Sequence, residues 1–185
     1  MNGLFLILSL SVCGMFHSAM AQYRSEVWVS DEGNGVYRNP VLHADYSDPD
    51  VCVVGEDYFL TASSFNCTPG LPILHSKDLV NWKIVNYALK KVEPVEYYNE
   101  ARHGKGVWAP SIRFHEGIYI YWGDPDFGIF MVKTRDPYGE WDKPVLVKAG
   151  KGMIDPCPLW DDDGRVYLAH AWAGSRAKFN SVLTV

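Results

Sequence analysis

The chain is poor in the residues that build metal centres and nucleic-acid surfaces. It has 4 cysteines and 6 histidines among 185 residues. No Cys-x-x-Cys pair and no Cys/His spacing of the zinc-binding kind occurs among them. His43, His75, His103, His115 and His170 have no partner at i,i+4 or other ligand spacing. The formal net charge is −5 and no long basic run is present. The electrostatic footprint that nucleic acid requires is therefore missing, and nucleic acid is excluded as a partner. Little of the chain has helical periodicity. One long apolar run exists, and it sits at the N-terminus.

That run, "LFLILSLSVCGMF", is followed by small residues ending at Ala21. Residues 1–21 read as an export signal cleaved after Ala21, although the leading "MNG" has no Lys or Arg. The run is too short for a membrane span, so none is expected. "LSVC", Leu10 to Cys13, also resembles a lipoprotein signal, but Val12 is bulky for the position before the cysteine. Anchoring at Cys13 is thus the minor alternative to a free periplasmic or extracellular chain, 22–185. Export implies an oxidising compartment. Cys52, Cys67 and Cys157 remain there, an odd number that allows at most one disulfide. Cys52 and Cys157 lie in strand-like runs, where a free cysteine is expected to be buried as a small apolar group. Asn66-Cys67-Thr68 matches a glycosylation sequon, a short pattern that needs a host that uses it.

Aromatic residues are abundant: 7 Trp, 11 Tyr and 8 Phe. They fit either an aromatic β core or a surface that stacks on sugars. A repeat favours β structure. "DPDVCVVGEDYFLTASS" from Asp48, "APSIRFHEGIYIYWGD" from Ala109 and "DPCPLWDDDGRVYLAHAW" from Asp155 share one plan. Each has a residue, then Pro, an apolar strand, a tight acidic turn with Gly, and an aromatic-rich strand. "PILHSKDLVNW" and "IFMVKTRDPYGEW" close the first two units in the same way. A spacing of about 50 residues with three or four strands per unit is that of a β-propeller blade. "NSVLTV", Asn180 to Val185, falls where the third strand of the third unit belongs. The expected fold is all-β, an incomplete propeller of two and a half to three blades. A complete small β-sandwich would require the repeat to be coincidence.

The innermost strands of successive blades line one channel, so equivalent positions converge near the axis. The residue before the strand-opening Pro is such a position: Asp48, Ala109 and Asp155. Proline is expected to hold that residue extended at the channel mouth. Two carboxylates gathered from distant blades suit glycoside hydrolysis, where one group activates water and another protonates the leaving oxygen. The plainer reading of each Asp-Pro is a turn before a strand. Asp45 and Asp50, which flank Asp48, are expected to be turn or solvating residues. Asp161–Gly164, "DDDG", lacks the further ligands of a calcium loop and reads as a hairpin turn. Trp82 and Trp141, at the blade ends, are expected to pack between blades. Arg102, His103 and Arg176 (in "AGSR") are placed to face the channel.

These pieces together resemble glycoside hydrolase family 43, the five-bladed propellers that act on xylan and arabinan side chains. The resemblance rests on "NPVLHADYSDPDVCVVGEDYFLTASSF", "PGLPILHSKDLVNW", "GVWAPSIRFHEGIYIYWGDPDFGIFMVKTRDPYGEW" and "MIDPCPLWDDDGRVYLAHAWAGSR", from Asn39 to Arg176. The members most like it are β-xylosidases and α-L-arabinofuranosidases. The resemblance implies that Asp48 is the general base and Asp155 the carboxylate that tunes the acid's pKa. It implies that Phe65 and Trp108 line the sugar subsite, and Arg176 is taken as a further substrate contact. It also implies inversion at the anomeric carbon, with a xylo- or arabino-oligosaccharide as substrate. The family's general acid, a Glu in a later blade, has no counterpart here, so the segment alone is expected to be inactive. A non-catalytic sugar-binding propeller is the alternative. No cofactor is expected. Some family members carry a metal near the axis, but no ligand set for one is evident.

Overall fold

The structure, a computed structural model, describes residues 25, 27–179 and 182–185. The expected leader, residues 1–21, lies outside the described residues, as do Asn180 and Ser181. The first sheet is a four-stranded antiparallel meander of β1 (Asp50–Val54), β2 (Asp57–Thr61), β3 (Gly70–Ser76) and β4 (Lys83–Leu89). After a one-turn helix, α1 (Val95–Tyr98), the plan repeats in β5 (Trp108–Phe114), β6 (Ile118–Asp124), β7 (Gly128–Thr134) and β8 (Val145–Ala149). β9 (Met153–Trp160) and β10 (Val166–Trp172) open a third sheet, followed by α2 (Gly174–Ala177). His170 of β10 then bridges Thr184 through two backbone hydrogen bonds of 2.8 Å. The start of a third strand thus lies where the repeat put it.

The repeat has a physical basis at each turn. β1 and β2 are joined by Gly55-Glu56, with Gly55 at φ 63°, the left-handed region that a tight hairpin turn asks of glycine. Gly164 does the same in the Asp161–Gly164 turn between β9 and β10, at φ 79°. The shared blade endings are hydroxyl-capped turns. Ser76 Oγ accepts the N–H groups of Asp78 and Leu79, and Thr134 Oγ1 accepts that of Asp136. Partial burial alone would raise the Asp78 pKa. Hydrogen bonds from Asn81, Val80 and Ser76 outweigh it and hold the carboxyl at about 2.

The core lies between the first two sheets. Leu71, Ile73 and Leu89 of the first meet Ile112, Ile120, Trp122 and Val132 of the second, all essentially inaccessible to water. Trp141 packs against this core, as the sequence suggested. Trp82 does not. It is half-buried beside Trp28, Val41 and Leu42 of the N-terminal segment, and its Nε1 donates to Leu79 O. A smaller cluster of Tyr121, Ile129 and Met153 joins the second sheet to the third.

Two sequence expectations fail at the innermost strands. Asp50 is not a solvating turn residue. Its Oδ2 accepts the Ile112 N–H at 2.9 Å and forms an ion pair with Arg113, both on β5 of the next blade. Cys157 is not buried: it is exposed on β9, and Arg113 Nη2 donates to its Sγ at 3.1 Å. One guanidinium therefore ties together the inner strands of three blades. The residues that do this are 44 and 63 positions apart in the chain, and a local pattern carries no trace of such a contact. Cys52 is buried as expected, and burial pushes its thiol up to about 12. Cys52, Cys67 and Cys157 are all free thiols.

Asp50→Ala leaves Arg113 and the Ile112 N–H without their partner. It is expected to lower stability by about 2 kcal/mol, the cost of losing hydrogen bonds to a charged group at a half-buried site. Urea denaturation followed by circular dichroism measures it, and an unchanged midpoint would refute the inter-blade role.

Candidate active site

Asp48 precedes β1, Ala109 and Asp155 lie within β5 and β9, and all three have a backbone conformation other than the extended one. Their φ angles are 50°, 31° and 52°, not the extended values expected before proline. Proline disfavours the right-handed helical region at the preceding residue. The left-handed region remains open where surrounding contacts over-determine it. Aspartate visits that region more readily than most residues; alanine does so at a cost of roughly 1–2 kcal/mol. A fourth pre-proline residue, Leu71, has φ 51°.

At Asp48, Ala109 and Leu71 the contacts come from two adjacent serines after β2. Ser63 Oγ accepts the Ala109 N–H at 2.9 Å, and Ser64 Oγ accepts the Leu71 N–H at 3.0 Å. Ser63 N–H donates to Ser47 O at 3.0 Å, across the chain from Asp48. Ser64 and Val107 exchange both backbone hydrogen bonds, and Gly106 N–H donates to Phe65 O at 2.9 Å. A side chain at Gly106 would meet Ser64 O at 2.4 Å, so only glycine allows this approach. The short 63–65 segment is thus stitched to 106–109 of the next blade.

Phe65 and Trp108 are brought together by that stitching. Their rings meet edge to face, with centroids 6.0 Å apart, and both are half-buried. Trp108 Nε1 donates to Gly104 O at 3.0 Å, which fixes the plane of the indole. Asp48 Oδ2 accepts from Ser47 Oγ and Ser63 Oγ, each at 2.8 Å. Asp155 is solvent-accessible, yet partial burial of its carboxyl and the charge of Asp48 both raise its pKa above the ordinary carboxylate value. The charge of an aspartate 107 residues away in the chain therefore reaches Asp155. Arg176 is not joined to this group. It lies in α2, half-buried, with its Nε lacking a hydrogen-bond partner, and α2 packs over Gly152. Arg102 and His103 lie on the loop before β5. Arg102 stacks on Tyr97 and forms a hydrogen bond to Tyr97 O. Among the described residues no group of three or more His, Cys, Asp or Glu side chains is arranged to hold a metal ion.

A second acidic centre, which sequence reasoning missed, supports the loop leading to Trp108. Asp124 is 1% exposed at the end of β6. Its Oδ1 accepts the N–H groups of Asp126 and Phe127, and its Oδ2 lies 2.5 Å from Tyr98 Oη. Tyr98 Oη also lies 2.8 Å from Lys105 O, which can only accept. One phenolic proton cannot serve two acceptors. A protonated Asp124 resolves this: it donates to Tyr98, and Tyr98 donates to Lys105 O. Burial raises the Asp124 pKa to about 6 in spite of its hydrogen bonds. The clue in the sequence was "GDPDFG", whose first Asp is the only one of the pair buried in a strand.

The chain matches the family described as Glycosyl hydrolases family 43 over residues 37–185. It is 33% identical over 170 residues to a beta-xylosidase of Formosa agariphila, covering 89% of this chain and 28% of that protein. It is 38% identical over 139 residues to a non-reducing end alpha-L-arabinofuranosidase of Bacteroides ovatus, covering 71% and 25%. Among solved structures, a family 43 protein retrieved from a capybara gut metagenome superposes with a TM-score of 0.64 at 31% identity, covering 78% of this chain and 28% of that one. With its antiparallel blades, its paired aspartates and this match, the chain belongs to glycosyl hydrolases family 43. It spans little more than a quarter of the length of the curated relatives it matches.

Asp124 gives a pH dependence with a definite sign. Its folded pKa is raised, so its contribution to stability is fully present below its unfolded value near 4 and is lost as pH rises through about 6. The loss is on the order of 3 kcal/mol. Asp124→Asn, whose amide can donate to Tyr98 at every pH, removes this slope. Thermal unfolding from pH 4 to 8 checks both, and a wild-type midpoint no more sensitive than that of the variant would contradict the assignment.

Proposed function

We propose that the chain carries the water-activating half of an inverting glycosidase site for pentosides of the xylan and arabinan type. The observation that carries this reading is the chain of hydrogen bonds from Asp48 through Ser63 to Ala109, next to Trp108, with the charge of Asp48 acting on Asp155 of the third blade. Asp48 is the general base. It takes a proton from water as the water oxygen bonds to the anomeric carbon on the face opposite the leaving group. The glycosidic C–O bond breaks, and its oxygen takes a proton from a carboxylic acid group. Asp155 keeps negative charge beside that acid and so favours its protonated form. Phe65 and Trp108 present a corner of aromatic surface for the apolar face of the sugar ring. Arg176, whose Nε is buried without a hydrogen-bond partner, is a further donor proposed for the substrate.

Support for the pentoside class comes from the names of the relatives, which are xylosidases and arabinofuranosidases. No described glutamate is among the charged groups that raise the Asp155 pKa, which supports a proton donor outside the described residues. Glu56 and Glu116 lie in the hairpin turns of the first two blades, and Glu140 pairs with Lys90. Export through the leader at 1–21 accords with a polysaccharide substrate that does not cross membranes. A non-catalytic sugar-binding propeller would bind oligosaccharide without turnover.

Residues 22–185 alone are expected to give no turnover of aryl β-xylosides or aryl α-L-arabinofuranosides, because the proton donor is worth about 10²–10⁴ in rate. In the full gene product, Asp48→Asn is expected to abolish turnover and leave oligosaccharide binding in place. The first-formed sugar, followed by proton NMR, should have the anomeric configuration opposite to that of the substrate. Retained configuration, or an active Asp48→Asn variant, would overturn the base assignment.

A further inference from the structure

The proton count around Asp48 carries an atom-level assignment. Ser63 Oγ already accepts the Ala109 N–H, at 2.9 Å. The hydroxyl proton of Ser63 is therefore free to point at Asp48 Oδ2, 2.8 Å away, and an ionised carboxylate can only accept it. Ser47 Oγ donates to the same oxygen at 2.8 Å. Both donors sit on Oδ2, and among the described residues none contacts Oδ1. The backbone closes the same ring, because Ser63 N–H donates to Ser47 O at 3.0 Å. Ala109, the member of the pre-proline set without a carboxylate, contributes its N–H instead. Its positive φ, costly for alanine, belongs to the backbone that presents this N–H to Ser63.

We infer that Ser63 is a positioning residue for Asp48: with Ser47 it fixes Oδ2 and leaves Oδ1 as the oxygen that takes the proton from the attacking water. The inference rests on the proposed role of Asp48 as base. The ring formed by Ser47, Asp48, Ser63 and Ala109 spans two blades, so the orientation of the base is set by the neighbouring blade as well as by its own. A base held in this way needs no reorientation when the water arrives, which is the advantage of a third group that orients a catalytic pair. Among the described residues no other hydrogen bond fixes the rotation of the Asp48 carboxyl group.

The test is a double-mutant cycle in the full gene product with an aryl pentoside. Ser63→Ala is expected to lower kcat by about 10- to 100-fold, the effect of losing one hydrogen bond to a charged group, with little change in KM. Ser63→Thr, which keeps the hydroxyl, is expected to keep most of kcat. Ser63→Ala added to Asp48→Asn should leave oligosaccharide binding as Asp48→Asn alone leaves it, because the serine acts through the carboxylate and not on the sugar. If Ser63→Ala does not fold, Ser47→Ala removes the other donor without touching Ala109 and is expected to show the same split between kcat and KM. Asp48→Asn inactive with Ser63→Ala fully active, or with Ser47→Ala fully active where Ser63→Ala does not fold, would overturn this inference alone. An active Asp48→Asn would overturn the base assignment beneath it.

Discussion

The site depends on one backbone constraint. The residue ahead of the strand-opening proline has a positive φ in all three blades, and at Ala109 a serine side chain from the preceding blade holds it there. Proline removes the right-handed helical option, and the serines after β2 supply acceptors for the N–H groups left pointing out of the sheet. The carboxylates of Asp48 and Asp155 are the side chains that this conformation carries at the channel mouth. A strained conformation repeated at three equivalent positions, with hydrogen bonds to serines at Asp48 and Ala109, marks a site more clearly than any one aspartate does.

The second requirement is that the blades keep their relative positions. The hydrophobic core between the first two sheets supplies most of the driving force but is not directional. Direction comes from the polar ties at the inner edge. Asp50, Arg113 and Cys157 link the inner strands, Ser63 reaches Ala109, and Ser64 pairs with Val107. These ties set Phe65 against Trp108. Behind that pair, the Asp124–Tyr98–Lys105 chain anchors the loop that leads to the tryptophan. The aromatic surface and the carboxylates are thus positioned by separate networks that meet in residues 104–109.

The blade plan was legible in the sequence because it is local. Proline, the apolar strand, the glycine turn and the hydroxyl-capped ending all lie within one repeat, and each has its own turn chemistry. The convergence of Asp48 and Asp155 was legible too, since equivalent repeat positions must meet at the axis. What failed was whatever depends on the neighbouring blade. Asp50 looked like one more turn carboxylate because Arg113 lies 63 residues away. Cys157 looked buried because its strand pattern says nothing of which inner strand it faces. The pre-proline residues were taken as extended because the dipeptide preference is a local average, and serines from another turn override it. Asp124 was missed for the same reason: "GDPDFG" shows two aspartates but not that one of them meets Tyr98 of α1, 26 residues away.

The central claim is that the charge of Asp48 acts on the Asp155 carboxyl, and a titration tests it on the chain itself. The Asp155 carboxyl carbon can be followed by NMR against pH in the wild-type chain and in Asp48→Asn. The expected result is a raised Asp155 pKa that moves down toward the ordinary carboxylate value when the charge of Asp48 is removed. An Asp155 titration that is the same in both chains would contradict the account.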